Sequence, residues 1–85
     1  MFNVYILYSE KLDKFYVGFT GDDMNIRLSK HLANHSGFTN KAKDWVIVFT
    51  ELFNTKQEAM LREKQLKNWK SKKRIQDLID RSSTE

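Results

Sequence analysis

The chain has no cysteine and no proline, and only three glycines in 85 residues. Without cysteine there is no disulfide and no thiolate metal site, and the composition fits a reducing compartment. No apolar run approaches the length of a membrane span. The start, MFNVYILYSE, lacks the basic residues and continuous apolar run of a signal peptide. There are no repeats and no low-complexity tracts. These absences set the expectation of a cytoplasmic protein without membrane contact.

What is present is enough for a folded core. Hydrophobic residues make up 40% and aromatics 13%, which is not a disordered composition. A chain of this length allows one domain, which buries roughly 60% of its unfolded surface. We assign that domain to residues 1–81, with 82–85 as a frayed tail.

Charge is unevenly spread. The net value is +4, yet REKQLKNWKSKKR, residues 62–74, holds seven Lys/Arg and one Glu and so carries +6. Residues 1–61 are close to neutral. A block like this is often a solvated helix face, but it also suits a polyanion. Trp69 lies inside it, and polar residues elsewhere lack an obvious structural purpose. These features favour nucleic acid, with Lys67, Lys70, Lys72, Lys73 and Arg74 as the candidate phosphate contacts.

The pattern predicts the element order ββαβαα, an α+β fold with a small three-stranded antiparallel sheet and three helices. NVYILY, residues 3–8, is apolar on both faces and reads as a covered strand. SEKLDK, 9–14, is a polar hairpin loop, and FYVGF, 15–19, is the return strand. In TGDD a Thr or Asp caps a helix running from about Asp22 to Asn34, with Met24, Leu28 and Leu32 on its buried side. Residues 35–44 form a loop. WVIVFTELF, 45–53, is the most pronounced strand. TKQE then forms a capping box, with Thr55 as cap and Glu58 three residues on, for a helix to about Trp69. Ala59, Leu61, Leu66 and Trp69 offer it apolar surface. Ser71 caps a last helix carrying Ile75, Leu78 and Ile79.

Tyr5, Tyr16, Arg27, His31 and Glu63 are distributed over two of these strands and two of these helices. As a set they supply phenols, a fixed cation, an imidazole and a carboxylate. Phosphodiester hydrolysis needs a deprotonated water, a cation for the phosphate and a Lewis acid for the leaving oxygen. Each residue also has an ordinary reading. Strand tyrosines usually belong to the core, Arg27 suits a surface ion pair, His31 a packed or solvated position, and Glu63 with Lys67 an i, i+4 pair.

Order and spacing favour the chemical reading, because the chain resembles the GIY-YIG nuclease superfamily from Val4 to Ile79. Its first motif is matched by Val4-Tyr5-Ile6, with the tyrosine shifted, and its second by Tyr16-Val17-Gly18. RLSKH, 27–31, matches an arginine followed four residues later by histidine. EAMLREKQLK, 58–67, matches the helix that carries an acidic metal ligand and puts that ligand at Glu63. KNWKSKKR, 67–74, is like the Trp-Lys-rich segment of small stand-alone bacterial members. The chain departs from the pattern by one extra residue in GDDMN. It also has no asparagine where larger members use one, since Asn68 falls too early, and the expectation is a nuclease-like domain acting without an added DNA-binding domain.

The resemblance implies roles. Tyr16 would act as general base or orient the water, and Tyr5 would position phosphate or water. Arg27 would hold the scissile phosphate, His31 would accept a phenolic hydrogen bond and move its proton, and Glu63 would hold one Mg²⁺ or Mn²⁺. A free phenol is only about one part in a thousand ionised at pH 7, a deficit of about 4 kcal/mol. A tyrosine base therefore needs a nearby cation, with Arg27 the first source, the metal the second and His31 a relay. The expected activity is a DNA endonuclease of low sequence specificity or structure preference, in repair or processing, with a protein partner able to supply specificity. RNA stays open as a substrate. A non-cleaving nucleic-acid-binding module of the same fold is the alternative, and an interaction domain anchored by Trp69 and Phe38 is a third reading.

The hairpin register decides whether the tyrosines cooperate. Residue 5 opposite 18 puts Tyr5, Tyr16 and Gly18 on one face, and Gly18 would then clear room for a phosphate. A shift of one residue separates the tyrosines.

Overall fold

The computed structural model of the protein describes residues 1–21, 26 and 42–82. The strand apolar on both faces takes the central position. β1 (Phe2–Ser9) lies between β2 (Lys14–Thr20) and β3 (Val46–Phe53), antiparallel to both. Val4, Tyr5, Ile6 and Leu7 are fully buried in succession, which is what an alternating backbone requires when both faces are covered.

The two sheet faces carry separate clusters. Val4, Ile6, Val17 and Phe49 pack with Ala59, Leu66, Ile75 and Ile79 on the helix side. Tyr5, Leu7, Ala42 and Trp45 form the other cluster, with Leu12, Tyr16 and Ile47 against it. Trp45, expected to open the third strand, lies just before β3 and is buried on that second face. A bulge sorts the side chains of β3. Ile6 faces Phe49 while the next residue, Leu7, faces Ile47, so Val48 is the extra residue. Val48 and Phe49 thereby both reach the helix-side cluster and Ile47 joins the other one.

The hairpin loop is held by its own polar groups. The Asp13 amide donates to the Glu10 carbonyl at 3.3 Å, and Asp13 has a left-handed backbone, φ 51°, which aspartate tolerates. Ser9 Oγ accepts from the Leu12 amide at 3.1 Å and donates to Asp44 Oδ1 at 2.6 Å. The Lys11 amide donates to the other Asp44 oxygen at 2.8 Å. Asp44 thus ties the loop to the approach to β3.

Two helices lie among the described residues. The first, α1 (Lys56–Asn68), is capped by Thr55, whose Oγ1 accepts from the Glu58 amide at 3.2 Å and donates to Glu58 Oε1 at 3.1 Å. The second, α2 (Lys72–Ser82), is capped by Ser71, whose Oγ accepts from the Arg74 amide at 3.3 Å. Both caps stand where the sequence placed them. Between the helices Lys70 adopts φ 49°, the left-handed turn that usually selects glycine. Leu61, expected to offer apolar packing, is 72% exposed. It lies two positions from Ala59, and two steps of a helix turn it away from the sheet. The helix expected over 22–34 falls outside the described residues except for Ile26, which is helical.

Candidate active site

Residue 5 does stand opposite residue 18, and Leu7 opposite Tyr16. Tyr5 and Tyr16 therefore share one sheet face, their ring centroids 6.5 Å apart and tilted by 36°. Their exposure differs. Tyr5 is fully buried, whereas Tyr16 is half-buried near the edge formed by β2. Only Tyr16 has surface to offer a substrate in this arrangement.

Gly18 has a different purpose from the one expected. A Cβ there would lie 2.5 Å from Tyr5 Oη and 2.7 Å from Cζ. The missing side chain makes room for the Tyr5 phenol across the strand pair, not for a phosphate.

Glu63 projects from α1 with its side chain 21% exposed. Lys67, one turn later, places its ammonium 3.4 Å from Glu63 Oε2. The same ammonium lies 5.8 Å from the centre of the Tyr16 ring, within cation–π reach. Strand and helix thus meet through Lys67, which reaches both Glu63 on its own helix and Tyr16, a residue far away in the chain. Arg27 and His31 lie outside the described residues, as does Phe38.

No group of three or more His, Cys, Asp or Glu that could hold a metal occurs among the described residues. The chemistry of the one carboxylate present does fit Mg²⁺ or Mn²⁺. Such ions keep several waters and complete their shell with substrate phosphate, so one partly exposed carboxylate is enough. Glu63 would hold the ion, which when bound supplies positive charge to the phosphate and leaving oxygen.

The basic segment divides into distinct environments. Arg74 stacks on Trp69 with 4.3 Å from its Cζ to the ring centroid, and Arg62 lies 5.9 Å from the same centroid. Arg62 also donates to Glu51 at 2.9 Å and to Gln65 at 2.7 Å. Trp69 itself packs against the helix-side cluster. The indole that drew attention to a binding role is thus a half-buried packing residue between two guanidinium groups. Lys73 is exposed, and Lys70 occupies the interhelix turn.

Sequence reasoning missed Asp13. It accepts a 2.7 Å hydrogen bond from the Tyr8 hydroxyl and an ion pair from Lys72. Lys72, then Tyr8, hold its carboxyl below the usual value. The hydrogen bond to Asp13 in turn pushes the Tyr8 phenol up, with the negative charges of Asp13, Glu10 and Asp44 adding to it. Asp44 is also held low, first by Ser9 and then by the Lys11 amide. The only sequence signal for Asp13 was its place in a polar loop.

A phenol pair on one sheet face, its outer ring joined through Lys67 to a helix glutamate, matches the residue types expected of a GIY-YIG nuclease. The family model of the GIY-YIG catalytic domain matches residues 1–76, and the chain belongs to that family, one of endonuclease-type hydrolases. Among solved structures it is similar to the UPF0213 protein BH0048 from Bacillus halodurans, determined by solution NMR. The two share 27% identity with a TM-score of 0.60, over 99% of this chain and 88% of that one. No curated protein matches the chain. Among the described residues no helix is long and apolar enough to cross a membrane.

Proposed function

We propose that this nuclease-family domain is a divalent-metal-dependent endonuclease that hydrolyses phosphodiester bonds in DNA. It works in the cytoplasm in repair or processing, with structure preference or low sequence specificity and with a protein partner as a source of selectivity. The observation that carries the reading is the Lys67 ammonium lying against both Tyr16 and Glu63, backed by the buried Tyr5 on the same sheet face as Tyr16.

In this scheme Tyr16 accepts the proton of the attacking water or orients it. Tyr5 acts through Tyr16 by fixing the ring beside it. Arg27 holds the scissile phosphate, His31 takes a proton from a phenol, and Glu63 is the metal ligand. Lys67, Lys70, Lys72, Lys73 and Arg74 supply phosphate contacts whose strength falls with salt.

The test is cleavage of labelled single-stranded, nicked, flapped and four-way DNA, with RNA alongside, in Mg²⁺, Mn²⁺ or EDTA. Products should need metal and vanish in Glu63→Ala. The variant should fold with a stability change within about 0.5 kcal/mol, since its residue is partly exposed. Cleavage that survives both Glu63→Ala and Tyr16→Phe would refute the mechanism. A second reading, a module that binds without cleaving, is favoured by one observation: the Lys67 ammonium already sits against the carboxylate a metal would use. Binding without products on every substrate would select it.

A further inference from the structure

At the outer side of β2, beside Tyr16, lies an open cleft of 420 Å³ between that strand and the junction of the two helices. Its base is apolar: Phe15, Val17, Leu66 and Ile75. Its rim carries four lysines, Lys14, Lys67, Lys70 and Lys72, and one carboxylate, Asp13. We infer that this cleft is a subsite for one unstacked nucleotide of a single nucleic-acid strand. The inference rests on the nuclease reading only for its place beside the scissile phosphate, not for the binding itself.

The chemistry of the lining selects that ligand. A duplex offers a protein its phosphates, sugars and base edges but keeps the base faces stacked, so it cannot set a base face into an apolar hollow. An unpaired base does, because its faces lose water when they meet aromatic and aliphatic side chains. The lysines around the hollow are placed for the phosphates on either side of that base. The volume falls within the roughly 300–1,000 Å³ of small-ligand sites. The first turn of α2 also opens on the cleft through Ser71 and Lys72, which adds to the attraction for phosphate.

Asp13 occupies the position of a competitor. It pairs with Lys72 across the cleft, joining the hairpin tip to the start of α2. An incoming phosphate would take over Lys72 and release Asp13. An exposed pair of this kind gives way easily. Lys70, by contrast, has no ion pair among the described residues, and its charge is directly available.

The two residues yield variants that separate binding from folding. Asp13→Asn keeps a residue that tolerates the left-handed backbone and still accepts from Tyr8. Lys70→Gly removes a rim charge while relieving φ 49°, so it should melt at a higher temperature than the parent. The experiment is fluorescence anisotropy in EDTA with a labelled 12-nucleotide oligo-dT and with a 12-base-pair duplex, across a salt series. Oligo-dT should bind more tightly than the duplex. Asp13→Asn should tighten oligo-dT binding roughly two- to fivefold, by removing the competitor for Lys72. Lys70→Gly should weaken it and lower the slope of log affinity against log salt by about 0.7, the loss of one phosphate contact. The amide NMR signals of Phe15, Val17 and Ile75 should shift with oligo-dT. Equal or tighter duplex binding, absence of binding, or two variants that behave like the parent would each overturn the subsite. If this binding pattern holds but nothing is cleaved in any metal, the nuclease reading falls and the subsite stands. If DNA is cleaved but the pattern is absent, the subsite alone falls.

Discussion

Gly18→Ala tests the packing argument at the centre of the site. The added methyl would lie 2.5 Å from Tyr5 Oη, 2.7 Å from Cζ and 3.1 Å from Cε1. Tyr5 has no exposed surface, so its ring cannot swing into solvent to relieve the clash. Overpacking of a filled core costs about 1–3 kcal/mol. Replacing a strand glycine returns about 0.5–1 kcal/mol through lower unfolded-state entropy. With both terms at mid-range the net loss is about 1.3 kcal/mol, which lowers the melting temperature by about 5–10 °C in a domain of this size. Thermal and urea denaturation by circular dichroism would read it. A double-mutant cycle with Tyr5→Phe identifies the cause, because the closest atom, Oη, is then absent while Cζ still presses on the methyl. The two substitutions should couple by about 0.5–1 kcal/mol, with the pair less unstable than the separate losses imply. If Gly18→Ala melts within about 2 °C of the parent, or the cycle is additive, then Gly18 is not there to accommodate Tyr5.

Two further outcomes follow from local chemistry. Thr55→Ala removes the acceptor for the Glu58 amide at the start of α1 and should cost about 1 kcal/mol, read as a lower urea midpoint at an unchanged slope. The acid limb of stability should depend on Asp13 and Asp44. Both have folded values below the unfolded value of 3.8, so their contribution is present above that pH and is lost as pH falls through the lower folded values. Tyr8 is shifted upward from 10.0, so its contribution is present below pH 10 and is lost as pH rises through the higher folded value. Melting temperatures from pH 2 to 11 should fall at both ends, and Asp13→Asn should flatten both limbs.

Local pattern was sufficient for much of the architecture. The unbroken apolar run VYIL, residues 4–7, gave away a strand covered on both faces, and the same run became the middle of the sheet. Thr55 and Ser71 were readable as caps because a side chain and an amide three residues on settle that chemistry between themselves. The motif residues of the nuclease family were legible for a related reason: each is a short string at a characteristic place along the chain. Leu61 was misread because apolar character alone does not state which side of a helix faces the sheet.

Other features exist only where distant segments meet. That Gly18 serves Tyr5 depends on a register set by the whole β1–β2 pairing, and a slip of one residue would have undone it. The extra residue at Val48 redirects the side chains of β3, yet nothing in VIVF distinguishes it from its neighbours. Asp13 and Lys72 come together because α2 packs near the hairpin tip, and Lys67 reaches Tyr16 because α1 runs beside the edge strand. Hydrogen bonds within a turn are decided by a few neighbouring residues, so the sequence displays them openly. Contacts across the fold follow from how every element packs against every other, and they became visible at Tyr5, Tyr16 and Asp13 once the sheet and helices were assembled.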